Sequence, residues 1–152
     1  MRNKLMRKLM SVLLCLPLFA MAASVPVYAE EWEDTSWQET AAVNPYYGGW
    51  GNCTWSAWQL ANTYAGVALP DFGSASNWYD SAASMGYTVS SVPQAGSIVC
   101  WSHHVGYVSA VSEDGNNVYI IEGGYMGGYH EGWFPAYTSR STQALLGYIY
   151  LW

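Results

Sequence analysis

The sequence predicts an α+β domain in which N-terminal helices pack on an antiparallel β-sheet. Three observations predict it. Helical periodicity is confined to residues 54–85. Beyond residue 96, segments rich in Val, Ile and Tyr follow one another without a helical stretch between them. Asp114-Gly115-Asn116 between two of these segments is a hairpin signal, and strands joined without crossover helices pair antiparallel.

Each element has its own local reason. Thr54 to Ala65 reads as a helix, with Trp55, Trp58, Ala61 and Ala65 at helical spacing and Gly66 closing it. Leu69-Pro70-Asp71 reads as a loop. Ser76 to Met85 reads as a second helix, with Trp78, Ala82 and Met85 on one face and Gly86 as its stop. Pro93 to Gly96 is a turn. Strands are predicted at Ser97–Trp101, His104–Val111, Val118–Glu122 and Leu146–Leu151. Gly123-Gly124 and Gly127-Gly128 suggest a mobile flap.

The chain has 152 residues, enough for one domain, and 16% are aromatic, which excludes a wholly disordered chain. Arg2, Lys4, Arg7 and Lys8, an apolar run from Leu9 to about Ala23, and Val27-Tyr28-Ala29 form the three parts of a signal peptide with cleavage after Ala29. Pro17 and the shortness of the run argue against a retained anchor. Residues 30–45 then read as an acidic leader and 46–152 as the folded domain. From residue 30 onward Arg140 is the one basic residue against eleven acids, a formal charge of −10. No basic patch is available for nucleic acid. The reading is a secreted monomer, without stable membrane insertion once the signal is removed.

Cys53 and Cys100 are the cysteines that remain. Gly51-Asn52-Cys53-Thr54-Trp55 places Cys53 at a helix start, where unpaired N–H groups and the helix dipole favour a thiolate. A buried helix cysteine, or half of a Cys53–Cys100 disulfide, is the other reading of the position. His103 and His104 open an apolar strand, and alternation lets one of them face the helix as a base; a surface or metal-binding histidine is the other reading. Gly106 and Ala110 leave room for a helix to pack close on the His104 face. Glu122, the sole acid of its strand, comes beside His104 across the hairpin, where a carboxylate either holds one imidazole nitrogen or points into water.

In these residues the chain resembles the CHAP family, the cysteine- and histidine-dependent amidohydrolases/peptidases of bacteria and their phages. The matching segments are Gly51-Asn52-Cys53-Thr54-Trp55, Leu69-Pro70, Asn77-Trp78 with Ala82, Gly86-Tyr87-Thr88-Val89 and Pro93-Gln94-Ala95-Gly96-Ser97-Ile98. His104-Val105-Gly106-Tyr107-Val108, Asp114-Gly115, Glu122, Arg140 and Gly147-Tyr148-Ile149-Tyr150 complete them, in matching order and spacing. The resemblance implies a papain-like (NlpC/P60-like) fold and hydrolysis of an amide bond in peptidoglycan. It makes Cys53 the nucleophile, His104 the general base and Glu122 the orienting acid, with the Cys53 backbone N–H as an oxyanion donor. No cofactor is implied. Amidases and cross-bridge endopeptidases share the motif set.

The chain departs from the pattern at Gly124, where many members carry asparagine, and at His103, where glycine is common. Residues 44–50 hold no carboxylate, so no calcium loop and no metal site are expected. Cys100 reads as a core residue. Tyr46, Tyr47, Trp50, Trp55, Tyr125, Tyr129 and Trp133 flank the site in sequence, and at least half of them are expected to be buried. Tyr47, Trp50, Asn52 and Tyr125 are candidates for a substrate groove. Two rival readings are a non-catalytic wall- or glycan-binding module on the same fold, and a cysteine amidase acting on a small amide or a protein.

Overall fold

The computed structural model describes residues 44–152; the expected signal peptide and the leader as far as residue 43 lie outside the described residues. A short turn at Gly49–Gly51 leads into helix α1, Cys53–Leu60, which continues as a wider π-type turn over Ala61–Ala65. Gly66, at φ 68°, ends it by adopting the left-handed conformation that glycine takes without cost. A single 3-10 turn, Ala75–Asn77, opens helix α2, Trp78–Ser84. Six strands follow: β1 Val89–Ser90, β2 Ile98–Trp101, β3 His104–Val111, β4 Asn117–Tyr125, β5 Gly128–Pro135 and β6 Leu145–Ile149.

The strands form one antiparallel sheet in the order β1-β6-β2-β3-β4-β5. The β3–β4 hairpin turns where expected: Asp114 accepts from the Ser112 hydroxyl and the Asn116 N–H, and Gly115 supplies a positive φ. The sheet buries both faces. On the helix face Ala57, Trp58, Ala61, Trp78 and Ala82 pack against Ile98, Cys100, Val105, Tyr107 and Ile149. On the other face Val99, Trp101, Val108, Val118, Ile120 and Tyr148 pack with Ala136 from the β5–β6 connection.

This arrangement corrects several expectations. Helix α1 packs on the Val105/Tyr107 face of β3, not on the His104 face. The space at Gly106 is filled instead from β4: a Cβ there would stand 2.7 Å from Ile120 Cγ2 and 3.5 Å from Glu122 Cβ. Met85 is exposed rather than core, because α2 ends at Ser84 and the backbone has already left the helix. The glycine pairs belong to paired strands and the turn between them. Met126 and Gly127, both at positive φ, make the tight turn of a β4–β5 hairpin whose second strand is absent from the sequence prediction. None of the seven flanking aromatics is fully buried, and Tyr47, Trp50, Tyr129 and Trp133 are exposed. Among the described residues no helix is long and apolar enough to cross a membrane.

Candidate active site

The N-terminus of α1 is fixed by Asn52. Its backbone is extended, and its side-chain oxygen accepts from the Thr54 N–H at 3.0 Å and the Thr54 hydroxyl at 2.8 Å. Its amide donates to the Tyr47 carbonyl at 2.8 Å. Cys53 is therefore the first residue of the helix, where its N–H has no intrahelical acceptor. Ser56, one turn on, joins helix to sheet: its hydroxyl donates to the Cys53 carbonyl at 3.0 Å and accepts from the Gly123 N–H at 2.8 Å.

Glycine at 123 and 124 is a steric requirement of this junction. A Cβ on Gly123 would stand 2.6 Å from the Trp50 carbonyl oxygen. One on Gly124, already at φ 72°, would stand 2.9 Å from the Cys53 nitrogen. The end of β4 crosses directly over the helix start.

His104 opens β3 and is buried, whereas His103 beside it is exposed. The register Val108↔Ile120 and Tyr107↔Ile121 sets Glu122 opposite the empty side-chain position of Gly106, next to His104 on the same face. There His104 Nε2 meets Glu122 Oε2 at 2.7 Å. The other imidazole nitrogen is left for the cysteine. Burial pushes the Cys53 thiol up, but the hydrogen bond and charge of His104, with the Val105 and Thr54 N–H groups, outweigh it and lower its pKa. Burial likewise pushes His104 down, and its bonds and charge interactions with Cys53 and Glu122 bring it up to about 9. The arrangement favours a thiolate–imidazolium pair near neutral pH.

Glu122 is fully buried and has two further partners. Arg140 donates from Nη1 to Oε2 at 2.6 Å and from Nη2 to Oε1 at 2.7 Å. His130, directly across the β4–β5 pair, brings Nδ1 to Oε1 at 3.0 Å. Burial raises the carboxyl, yet His104 and Arg140 hold it down to about 2. Arg140 and His130 carry no role in the sequence reading. The signal for Arg140 was its being the lone base after residue 29; His130 had none, since its strand was not recognised.

Cys53, His104 and Glu122 thus come together as expected. Of the groove candidates, Trp50 lines a groove of about 370 Å³ with Trp55, Leu60, Tyr64, Ile121 and Tyr129. Its ring meets Tyr129 edge-on at 4.8 Å and Trp55 at 5.8 Å. Tyr47 is largely exposed, at 85%. Asn52 and Tyr125 do not line this groove: Asn52 caps the helix, and Tyr125 lies 3.9 Å from the Arg140 guanidinium carbon. Cys53 and Cys100 are both free, and Cys100 is wholly inside the helix-face core. Among the described residues no group of three or more His, Cys, Asp or Glu side chains could hold a metal ion.

A thiol, an imidazole and a buried carboxylate in series at a helix start define a cysteine–histidine–carboxylate site on an α+β frame. Residues 41–124 match the family profile of the CHAP domain, and the chain belongs to that family. It is 39% identical over 108 residues to the "Putative hydrolase" of Streptococcus mutans, covering 66% of this chain and 48% of that protein. It is 34% identical over 105 residues to staphylococcal secretory antigen ssaA2 of Staphylococcus aureus, covering 66% of this chain and 37% of the relative. The chain therefore spans about half or less of the length of these relatives. The crystal structure of an N-acetylmuramoyl-L-alanine amidase from Staphylococcus aureus superposes with a TM-score of 0.52 at 23% identity, over 61% of this chain and 30% of that one. The shared fold is papain-like.

Proposed function

We propose that the protein is a secreted, cell-wall-associated peptidoglycan hydrolase that cleaves an amide bond of the stem peptide or cross-bridge. The observation that carries this reading is the buried His104, held by Glu122 on one nitrogen and facing a Cys53 thiol of lowered pKa. Membership of the CHAP family supports it. A relative named as a secretory antigen and a neighbour named as an N-acetylmuramoyl-L-alanine amidase point to the same compartment and polymer.

In this reading the Cys53 thiolate attacks the scissile carbonyl carbon and forms a C–S bond. The negative charge passes to the carbonyl oxygen, toward the free N–H of Cys53. Gly124 keeps side-chain atoms away from that N–H. The His104 imidazolium gives its proton to the leaving amine as the C–N bond breaks, leaving an acyl-thioester. His104 then takes a proton from water, which attacks the thioester and releases the acid and the thiolate. Glu122 holds the imidazole orientation throughout. Trp50 and its aromatic neighbours offer apolar ring surface to a sugar or flat peptide segment.

The test is mass spectrometry of peptidoglycan incubated with the protein beside Cys53→Ala. Fragments are expected only with the intact cysteine, and their new ends identify the bond. Wall binding without fragments, from several wall chemotypes under reductant, would replace this reading with a binding module.

A further inference from the structure

Arg140 is the one Lys or Arg after residue 29, and the fold places it inside the protein. Its side chain is 13% exposed. It projects from the connection between β5 and β6, where Arg140 and Gln143 exchange two backbone hydrogen bonds of 2.9 Å that fix the turn. The guanidinium carbon lies 3.9 Å from the ring centre of Tyr125, 4.1 Å from Phe134 and 5.2 Å from Trp101. These rings come from β4, β5 and β2. Both terminal nitrogens go to Glu122, and Nε is buried without a partner. A surface arginine that merely balanced charge would need no such enclosure.

The carboxylate they meet is saturated. Oε2 receives His104 Nε2 and Arg140 Nη1; Oε1 receives His130 Nδ1 and Arg140 Nη2. A two-pronged guanidinium fixes the plane of a carboxylate, which a single donor cannot do. With that plane fixed, Oε2 is aimed at His104, and His104 at Cys53.

We infer that Arg140 is a positioning residue: its aromatic-enclosed, two-pronged grip on Glu122 keeps that carboxylate ionised and aligned for His104. It touches neither thiol nor substrate, and acts through Glu122. The charged and titratable groups facing Glu122 are His104 from β3, His130 from β5 and Arg140. Removing the permanent cation raises the proton affinity of the buried carboxylate and takes positive potential from the thiolate. Both changes make the Cys53 thiolate harder to form. A lysine keeps the charge but loses the fork, so Arg140→Lys falls between the native chain and Arg140→Gln.

The inference rests on Cys53 and His104 being the reactive pair, and its test needs no wall polymer. Iodoacetamide alkylation of Cys53 is followed against pH by mass spectrometry of its peptide, with thermal unfolding recorded at each pH. In Arg140→Gln the acid limb is expected to move up by about one pH unit or more, and in Arg140→Lys by less. If folded Arg140→Lys and Arg140→Gln both keep the native limb, the arginine is structural only and the inference is overturned. If Arg140→Gln does not fold, Arg140→Lys decides alone, by a shifted or an unshifted limb. An ordinary thiol limb near 9 in the native chain would instead overturn the reactive pair itself, and the role of Arg140 with it.

Discussion

Glu122 sets the chemistry of its neighbourhood because a buried carboxylate must be satisfied, and every group aimed at it is a donor. Glu122→Gln turns an acceptor into a group that presents an NH2 toward those donors and leaves Arg140 without its counter-charge. We expect hydrolysis to fall at least about a hundredfold and stability to fall by about 3–5 kcal/mol. Assay on peptidoglycan and thermal unfolding together check this; a variant with native activity would remove Glu122 from the mechanism. At this scale the sequence was informative wherever a residue was chemically out of place. A cysteine at a helix start, a histidine opening an apolar strand and an acid alone in another could all be picked out. Arg140 was equally out of place, yet its partner could not be read, because what surrounds it comes from three different strands.

Among elements, the site depends on how closely β3, β4 and α1 approach, and small residues set those distances. Gly106→Ala would drive a methyl into Ile120 and toward Glu122. Over-packing of this kind costs about 1–3 kcal/mol, and displacement of Glu122 should lower activity more than the loss of folded protein explains. Ser56→Ala would leave the buried Gly123 N–H unpaired and free the Cys53 carbonyl. We expect a cost of about 1–3 kcal/mol, read as a lowered midpoint in chemical denaturation; an unchanged midpoint would mean that the helix–sheet junction does not rest on this hydroxyl. Strand β3 was read at its observed bounds and α1 to within a residue at its start, since each has a sharp local signal at its ends. Strand β5 was missed because Gly128-Tyr129-His130-Glu131-Gly132 breaks the apolar alternation. Its inward positions are two glycines, a histidine that meets Glu122 and a phenylalanine beside the Arg140 guanidinium, rather than a plain core. The helix-packing face of β3 was misassigned for a related reason. Gly106 resembles a helix-contact glycine, but its missing side chain makes room for Ile120 and Glu122.

For the whole molecule, the ion network ties stability to pH. Glu122 in the folded protein is lowered to about 2 from an ordinary value of 4.5. Its contribution is therefore complete above about pH 4.5 and is lost as the pH falls toward 2. His104 is raised to about 9 from 6.5, so its contribution is complete below about 6.5 and is lost as the pH rises through 9. Cys53, lowered in the folded protein, acts in the opposite sense: its contribution grows with pH up to the ordinary thiol value of 9 and offsets the His104 loss. The unfolding temperature should therefore fall on the acid side and stay level between roughly pH 6.5 and 9. Cys53→Ala uncovers the His104 contribution. It removes one of the two groups that raise His104 and leaves the Glu122–Arg140 bonds in place. An alkaline decline, set by the hold of Glu122 on His104 alone, should then appear because no thiolate offsets it, while the part of the acid decline that belongs to Glu122 remains. Unfolding temperatures measured from pH 3 to 10 on both proteins check this. The same alkaline behaviour in both proteins would mean that Cys53 and His104 do not share a proton in the folded protein, and the thiolate–imidazolium pair would lose its footing.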